Sequence, residues 1–415
     1  MVKKLLVAII MVISIFTSNI PVKALENSEP ITTLSCQYAV AIDAKSGLVL
    51  YNKNMDERMY PASMTKVMTV IVALEMMKDT STTTVITQSD IDTVWETGAS
   101  SANFEVGEVV TYEDLLYGAI LPSGADATRA LANNLCGSQE AFVAKMNELA
   151  GELGLKDTHF VNTTGIHDDN HYTTAHDMAL IVKHAIENDK FREIYGQRYH
   201  TSSNGLHQWV NKSIYNARRA GIDTTNILGC KSGYTNQAKN CLSSLDTVNG
   251  NEIITIVAHS TNEVRTSAAV CDTLDIMNYV GQRYSLQNIL TKGNEVDTLK
   301  VDLAKDNKSV VITNQNDATA FLPNNFNLEE LDYRYSFDKL KAPLKKGTQV
   351  GNLEVYYGDY LLYEEDYLTT EAIEKDTVKE VTNNVIDFIF PYGIAIVLVV
   401  IYILILRFKP KRRRV

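Results

Sequence analysis

Hydrophobic positions change their period along the chain, and each change marks an element. Between residues 67 and 77 almost every side chain is apolar: Val67, Met68, Val70, Ile71, Val72, Ala73, Leu74, Met76 and Met77. A run that long, apolar all round, predicts a buried helix. Pro61 lies just outside it, so Ser63 is expected in the first turn, where backbone N–H groups lack partners and the dipole favours negative charge. Upstream, Val40, Ile42, Leu48 and Leu50 alternate with other residues on either side of Asp43-Ala44-Lys45-Ser46-Gly47. That pattern predicts a β-hairpin over 37–51. Residues 79–101 form a variable stretch. Helices are expected over 112–120, from the Leu121 to Asp126 turn to about 135, and over 139–153. The segment 160–176 reads as a polar loop with His159, His167, His171 and His176 in or beside it. Thr174 to Asp177 then reads as an N-cap opening a helix over 178–188. Two short strands within 226–244, a third over 253–259 and a closing helix over 264–279 complete an α/β (α+β) unit, a core sheet flanked by helices.

From about 284 to 368 the texture becomes short β-type runs between turns: 309–313, 350–357 and 360–363. A small all-β domain is expected, with Tyr356, Tyr357, Tyr360 and Tyr363 packing across its strands. Residues 369–387 read as a polar stalk, helical or flexible. The stretch 388–406 has no charged residue and is long enough to cross a membrane. Arg407, Lys409, Lys411, Arg412, Arg413 and Arg414 follow it, a basic tail (407–415) that stays cytoplasmic by the positive-inside rule. At the other end, Lys3 and Lys4, the apolar run 5–16 and Val22-Lys23-Ala24 give residues 1–24 the form of a secretory signal. The larger domain is then expected over 25–283 and a β-sandwich over 284–368.

With 415 residues, two globular units plus extra segments are the natural division. The net charge of −11 includes three lysines in the signal and six basic residues at the C-terminal end, so the part between carries −20. Nucleic acid is a poor partner for such a surface. Five cysteines leave one unpaired, and no disulfide framework can be read. Cys230 and Cys241 would lie nearly opposite each other if their hairpin turned near Asn236. Two reduced core thiols is the reading adopted for them, with a bridge as the alternative.

The candidate chemistry starts at Ser63. Residues three apart share a helix face, so Lys66 lies beneath the Ser63 hydroxyl, its ammonium held against apolar neighbours. Desolvation disfavours the charged amine, and a neutral lysine can take the serine proton. Ser-x-x-Lys alone is a weak signal. Ser63-Met64-Thr65-Lys66, Ser123-Gly124-Ala125 and Lys231-Ser232-Gly233, in that order, are far more specific together.

With Asp43-Ala44-Lys45-Ser46-Gly47, Tyr60-Pro61-Ala62-Ser63, Leu121-Pro122-Ser123-Gly124, His171-Tyr172-Thr173-Thr174-Ala175 and Gly229-Cys230-Lys231-Ser232-Gly233-Tyr234-Thr235, the chain resembles the serine D-alanyl-D-alanine carboxypeptidases, the low-molecular-mass penicillin-binding proteins. The resemblance covers about 37–363, together with the export signal and anchor. It implies a serine β-lactamase/transpeptidase-like catalytic fold, an antiparallel sheet flanked by helices, and removal of the terminal D-alanine from peptidoglycan stem pentapeptides. In such a site Ser63 would attack the penultimate D-alanine carbonyl, Lys66 would take its proton and Ser123 would hand a proton to the leaving amine. Lys231 and Ser232 would bind the terminal carboxylate, and Gly233 would let it lie against the strand. The N–H groups of Ser63 and Tyr234 would form an oxyanion hole, worth about 3 kcal/mol per donor lost. No cofactor is implied; the partners are the stem peptide, β-lactams as covalent inhibitors, and a membrane through the C-terminal helix.

One departure stands out: the family's second motif usually ends in asparagine, and here the residue is Ala125. The missing amide would weaken contacts to the lysine and substrate by roughly 1 kcal/mol per hydrogen bond. Ser232 in place of the commoner threonine keeps the hydroxyl. Three rival readings remain. A zinc peptidase would use the dense His and Asp of 162–177, but Asp168, Asp169 and Asn170 between His167 and His171 argue against a shared helix face. A β-lactamase lacks its Glu-based deacylation signature here, and a non-catalytic penicillin-binding sensor or scaffold draws support only from Ala125.

Overall fold

The computed structural model describes residues 30–263 and 265–407. The expected signal segment lies outside them, as does most of the basic tail. The chain divides into two units. The first runs to Leu286 and includes Phe321–Phe326 and Gly358–Tyr360; the second holds Gln287–Ala320, Asn327–Tyr357 and the chain from Leu361 on.

In the first unit an antiparallel sheet is built from β1 (Tyr38–Asp43), β2 (Val49–Lys53), β3 (Ile227–Thr235), β4 (Lys239–Val248) and β5 (Asn251–Ser260), in the spatial order β2-β1-β5-β4-β3. β4 and β5 are buried at six consecutive positions each, because both faces of the sheet are covered. Val40, Ile42, Ile254 and Ile256 point into the main core with helices α1 (Thr65–Met76), α2 (Tyr112–Ile120), α3 (Ala125–Cys136), α4 (Gln139–Glu152) and α5 (Ala175–Ala185). Helix α6 (Ala268–Arg283) packs on β4 and β5 outside that core. α1 is buried from Thr65 to Leu74, the all-round burial its composition demands.

Differences from the sequence reading are local. The variable stretch contains a strand, Thr83–Val85, and a helix, Gln88–Thr97, opened by a Thr87–Asp90 capping box. The helix expected over 178–188 begins at Ala175 and stops at Ala185, because Asn188 caps a separate helix, Asp189–Gly196. The closing helix is shifted to Ala268–Arg283. β3 and β4 pair with Cys230 opposite Ser244 and Cys241 opposite Gly233, so the two cysteines are not cross-strand neighbours. All five cysteines are free thiols. Burial pushes Cys36 and Cys241 up to about 12 and Cys230 up to about 11.

The second unit is a small β domain. β6 (Glu295–Asp302) pairs antiparallel with β7 (Ser309–Thr313), and β8 (Leu331–Phe337) pairs with β9 (Gln349–Tyr357), which is followed by β10 (Tyr360–Leu368) in the order β8-β9-β10. Of the tyrosines expected to pack across the strands, Tyr356 lies under the Arg334 guanidinium at 4.0 Å and Tyr363 donates to Glu365 at 2.9 Å, while Tyr360 falls in the first unit. A single helix, α7 (Thr377–Arg407), closes the chain; it contains a stretch long and apolar enough to cross a membrane and measures about 46 Å end to end.

Candidate active site

Ser63 sits in a 3-10 turn, Ala62–Met64, rather than in α1 itself, and this turn leads directly into Thr65. Pro61 starts it at φ −73, and Ala62 follows at φ +47, a left-handed backbone that costs an L-residue about 1–2 kcal/mol. Two features hold Ala62 there. Gly165 lies against it so closely that a Cβ would meet Ala62 O at 1.9 Å. The Thr65 hydroxyl donates to Ala62 O at 2.8 Å and is 2.8 Å from His171 Nε2, while the Val161 N–H donates to His171 Nδ1 at 3.1 Å. These directions select one tautomer: Nδ1 accepts, so Nε2 carries the proton and donates to Thr65. Burial pushes His171 down to about 4, which keeps the ring neutral.

Lys66 Nζ is 2.9 Å from Ser63 Oγ and 2.6 Å from Thr164 O. The side chain is 1% exposed, and burial, reinforced by the charge of Lys231, holds its amine well below the ordinary lysine range, with Asp126 opposing. The neutral amine keeps a lone pair to accept the Ser63 proton. Thr164 O is placed by Asn162, whose Oδ1 accepts from Thr164 N at 3.1 Å, Thr164 Oγ1 at 3.1 Å and Gly165 N at 2.7 Å. Ala125, buried in the first turn of α3, offers no acceptor. The carbonyl of Thr164 gives the lysine one.

Ser123 follows Pro122 at φ +68, immediately before α3. Asp126 in that helix accepts from Ala102 N at 2.8 Å, Phe104 N at 3.2 Å and Ser101 Oγ at 2.6 Å, so the 101–104 loop and the Ser123 turn are tied together. Lys231 Nζ donates to Ser123 Oγ at 2.8 Å and to Ser232 O at 2.7 Å. Burial pushes it down to about 7. β3 is an edge strand, with Gly233 so near the serine turn that a Cβ there would lie 2.8 Å from Ser63 N. Ser63, Lys66, Ser123, Ser232, Gly233 and Tyr234 line one cleft of about 800 Å³, and no carboxylate belongs to its described lining. Lys231 lies behind Ser123.

The histidines of the polar loop do not converge on a common point. Both ring nitrogens of His171 are engaged, and His167 packs edge-on against Tyr60 with ring centroids 4.6 Å apart. Asn162, Thr164, His171 and Asp126 support the site, yet no motif marked them for these roles. Thr164 acts through its backbone, and the others through partners 22 to 106 residues away, apart from Asn162, whose Asx-type turn is the one local signal available.

A family model described as D-alanyl-D-alanine carboxypeptidase matches residues 23–262, and one described as penicillin-binding protein 5, C-terminal domain, matches 284–375. The D-alanyl-D-alanine carboxypeptidase DacF of Bacillus subtilis is 30% identical over 344 residues, 81% of this chain and 85% of that one. Penicillin binding protein 5 from Haemophilus influenzae superposes with a TM-score of 0.64 at 27% identity, covering 84% of this chain and 99% of its own. A peptidoglycan synthesis regulatory factor (PBP3) from Streptococcus pneumoniae gives 0.71 at 22% identity over 82% and 100%, a likeness of fold.

Proposed function

The chain belongs to the D-alanyl-D-alanine carboxypeptidase family, and from that premise we propose how its own residues carry the reaction. It is a serine-type D-Ala-D-Ala carboxypeptidase of the penicillin-binding class, acting in cell-wall metabolism. The stem peptide adds as an extended strand to the free edge of β3, its terminal carboxylate at Lys231 and Ser232. Neutral Lys66 takes the Ser63 proton as Oγ bonds to the penultimate D-alanine carbonyl carbon. The N–H groups of Ser63 and Tyr234 hold the resulting oxyanion. When the tetrahedral centre collapses, the C–N bond breaks and the leaving amine receives a proton through Ser123, which Lys231 orients; D-alanine departs. Water then adds to the Ser63 ester, giving a proton to the base, and Ser63 leaves with a proton restored. β-Lactams acylate the same Ser63 oxygen.

The 2.9 Å contact between Ser63 Oγ and the buried amine of Lys66 carries this assignment. Its test is D-alanine release from a stem pentapeptide by the full chain, beside Ser63→Ala. Release that persists in the variant sinks the serine mechanism. Penicillin labelling of Ser63 without peptide turnover would instead favour a sensor. The C-terminal apolar helix fits a membrane anchor. We further propose an exported protein that crosses the membrane once through α7, with the catalytic unit outside and the basic tail inside; protease protection of the tail in sealed cells tests that topology.

A further inference from the structure

The β domain holds a cleft of about 500 Å³ that the reaction does not use. Tyr333, Tyr335 and Phe337, alternate residues of β8, share one face of the strand and line it. Tyr335 and Phe337 stack, with ring centroids 6.1 Å apart and planes at 16°. Phe337 also rests against buried Tyr367 at 6.1 Å, and the Tyr333 hydroxyl donates to Ile289 O at 2.8 Å. The rings are therefore fixed by their neighbours, while Tyr335 remains 44% exposed. Asn288, Asn294 and Asn314 add amides to the lining and Glu295 and Asp297 carboxylates, and no lysine or arginine belongs to it among the described residues. The Tyr335 hydroxyl and the Asn294 amide have no hydrogen-bond partner among the described residues.

We propose that this cleft binds a neutral glycan of N-acetylated hexoses, the polymer on which stem peptides are carried. Flat ring faces suit the C–H faces of hexoses, which gives contact area without fixing a direction. Amides offer both a donor and an acceptor to acetamido groups, and a carboxylate accepts from sugar hydroxyls. The absence of cations disfavours phosphate-bearing or carboxylated chains. The choice among polyols rests on the carboxypeptidase reading; the cleft itself does not. By holding the glycan, the β domain would raise the local concentration of stem peptides at the enzyme.

The experiment is calorimetric titration of the full chain, in detergent, with the hexamer of N-acetylglucosamine. D-alanine release from a soluble pentapeptide is measured on the same samples. Saturable binding by the wild type and by Ser63→Ala, weakened by about fivefold or more in Tyr335→Ala or Asn294→Ala, is the expected result. Release from the soluble peptide should stay unchanged in both cleft variants, and an unchanged thermal unfolding profile reports that the β domain still folds in them. No saturable binding by the wild type overturns the proposal, as does equal affinity in both cleft variants. Binding displaced by an extended peptide as effectively as by the hexamer overturns it in favour of a strand-pairing partner. Loss of D-alanine release with glycan binding intact would sink the carboxypeptidase assignment alone.

Discussion

The molecule has two clefts with opposite charge inventories. In the first unit the lining has no described carboxylate, Lys66 at 1% exposure stands in it, and Lys231, equally buried, lies behind Ser123. In the β domain the cleft has carboxylates, amides and ring faces, and no basic side chain. Both sit in a protein whose net charge is −11, so the difference is local and built by each fold. Burial makes the first cleft reactive, because it strips a proton from an amine that water would keep charged. Exposure suits the second to holding: its ring faces and amides offer shape and hydrogen-bonding groups. One site does chemistry at a cost in desolvation, and the other recognises a surface without that cost.

The most direct way to break the contrast is at the nucleophile. Ser63→Ala is expected to lower D-alanine release by at least about 10⁴-fold and to abolish penicillin labelling, and Lys66→Ala to come close to it. Such a loss from Tyr335→Ala would erase the distinction between the clefts. Next comes pH. Lys66 must be neutral to act as base, so the rate rises with pH through its lowered value; Lys231 must be charged to hold a carboxylate, so kcat/KM falls again above about 7. A pH profile that keeps climbing past 9 contradicts that role for Lys231.

Asn162→Ala probes the same cleft more gently. It removes the acceptor that fixes Thr164 N, Thr164 Oγ1 and Gly165 N, so the Thr164 carbonyl loses its fixed aim at Lys66, and it is expected to slow acylation about 10- to 100-fold with little change in KM, read by stopped-flow β-lactam acylation. Asp246 carries the comparison into the sheet with the sign reversed. Burial pushes this carboxyl up to about 7, and its Oδ1 has no hydrogen-bond partner among the described residues. The folded state therefore holds the proton more tightly than the unfolded chain does, and stability falls as pH climbs from about 4 to about 7. Asp246→Asn should match the wild type in unfolding free energy at pH 4 and exceed it at pH 8, by up to roughly 4 kcal/mol, with Tm moving the same way. Equal Tm values at both pH values would show that the carboxyl is not strained.

What was legible in the sequence follows from how locally each feature is encoded. The apolar run behind Ser63 announced a buried helix, since at 11 residues it is too long for an ordinary strand, too short to span a membrane, and apolar on every face. The hairpin of β1 and β2 was legible from alternation on either side of a turn, and the C-terminal helix from an uncharged run long enough to cross a membrane. The Ser63 turn was not placed correctly, because a left-handed Ala62 depends on Gly165 and on the Thr65–His171 contact across more than a hundred residues. The Cys230 and Cys241 geometry was missed by register: a turn at 236–238 sets them three pairs apart rather than opposite. Ala125 looked like a lost contact for the lysine, and the acceptor supplied by Thr164 is a backbone atom that no residue type reveals. In the β domain the tyrosines near 360 drew attention, while the exposed row at 333–337 lay unread in β8.

The buried thiols give the folding of this chain a chemical clock. Cys36, Cys230 and Cys241 react at an ordinary thiol's rate in an unfolded chain, and in the native state burial holds all three far from the thiolate. In an oxidising compartment the chain must therefore bury these sulfurs before they find one another or a small-molecule oxidant. A brief pulse of alkylating reagent during refolding would timestamp each region separately: Cys36 marks the strand that begins the sheet, and Cys230 and Cys241 mark the strands that complete the site. If the last two closed later than Cys36, oxidation would strike first where the enzyme binds its substrate.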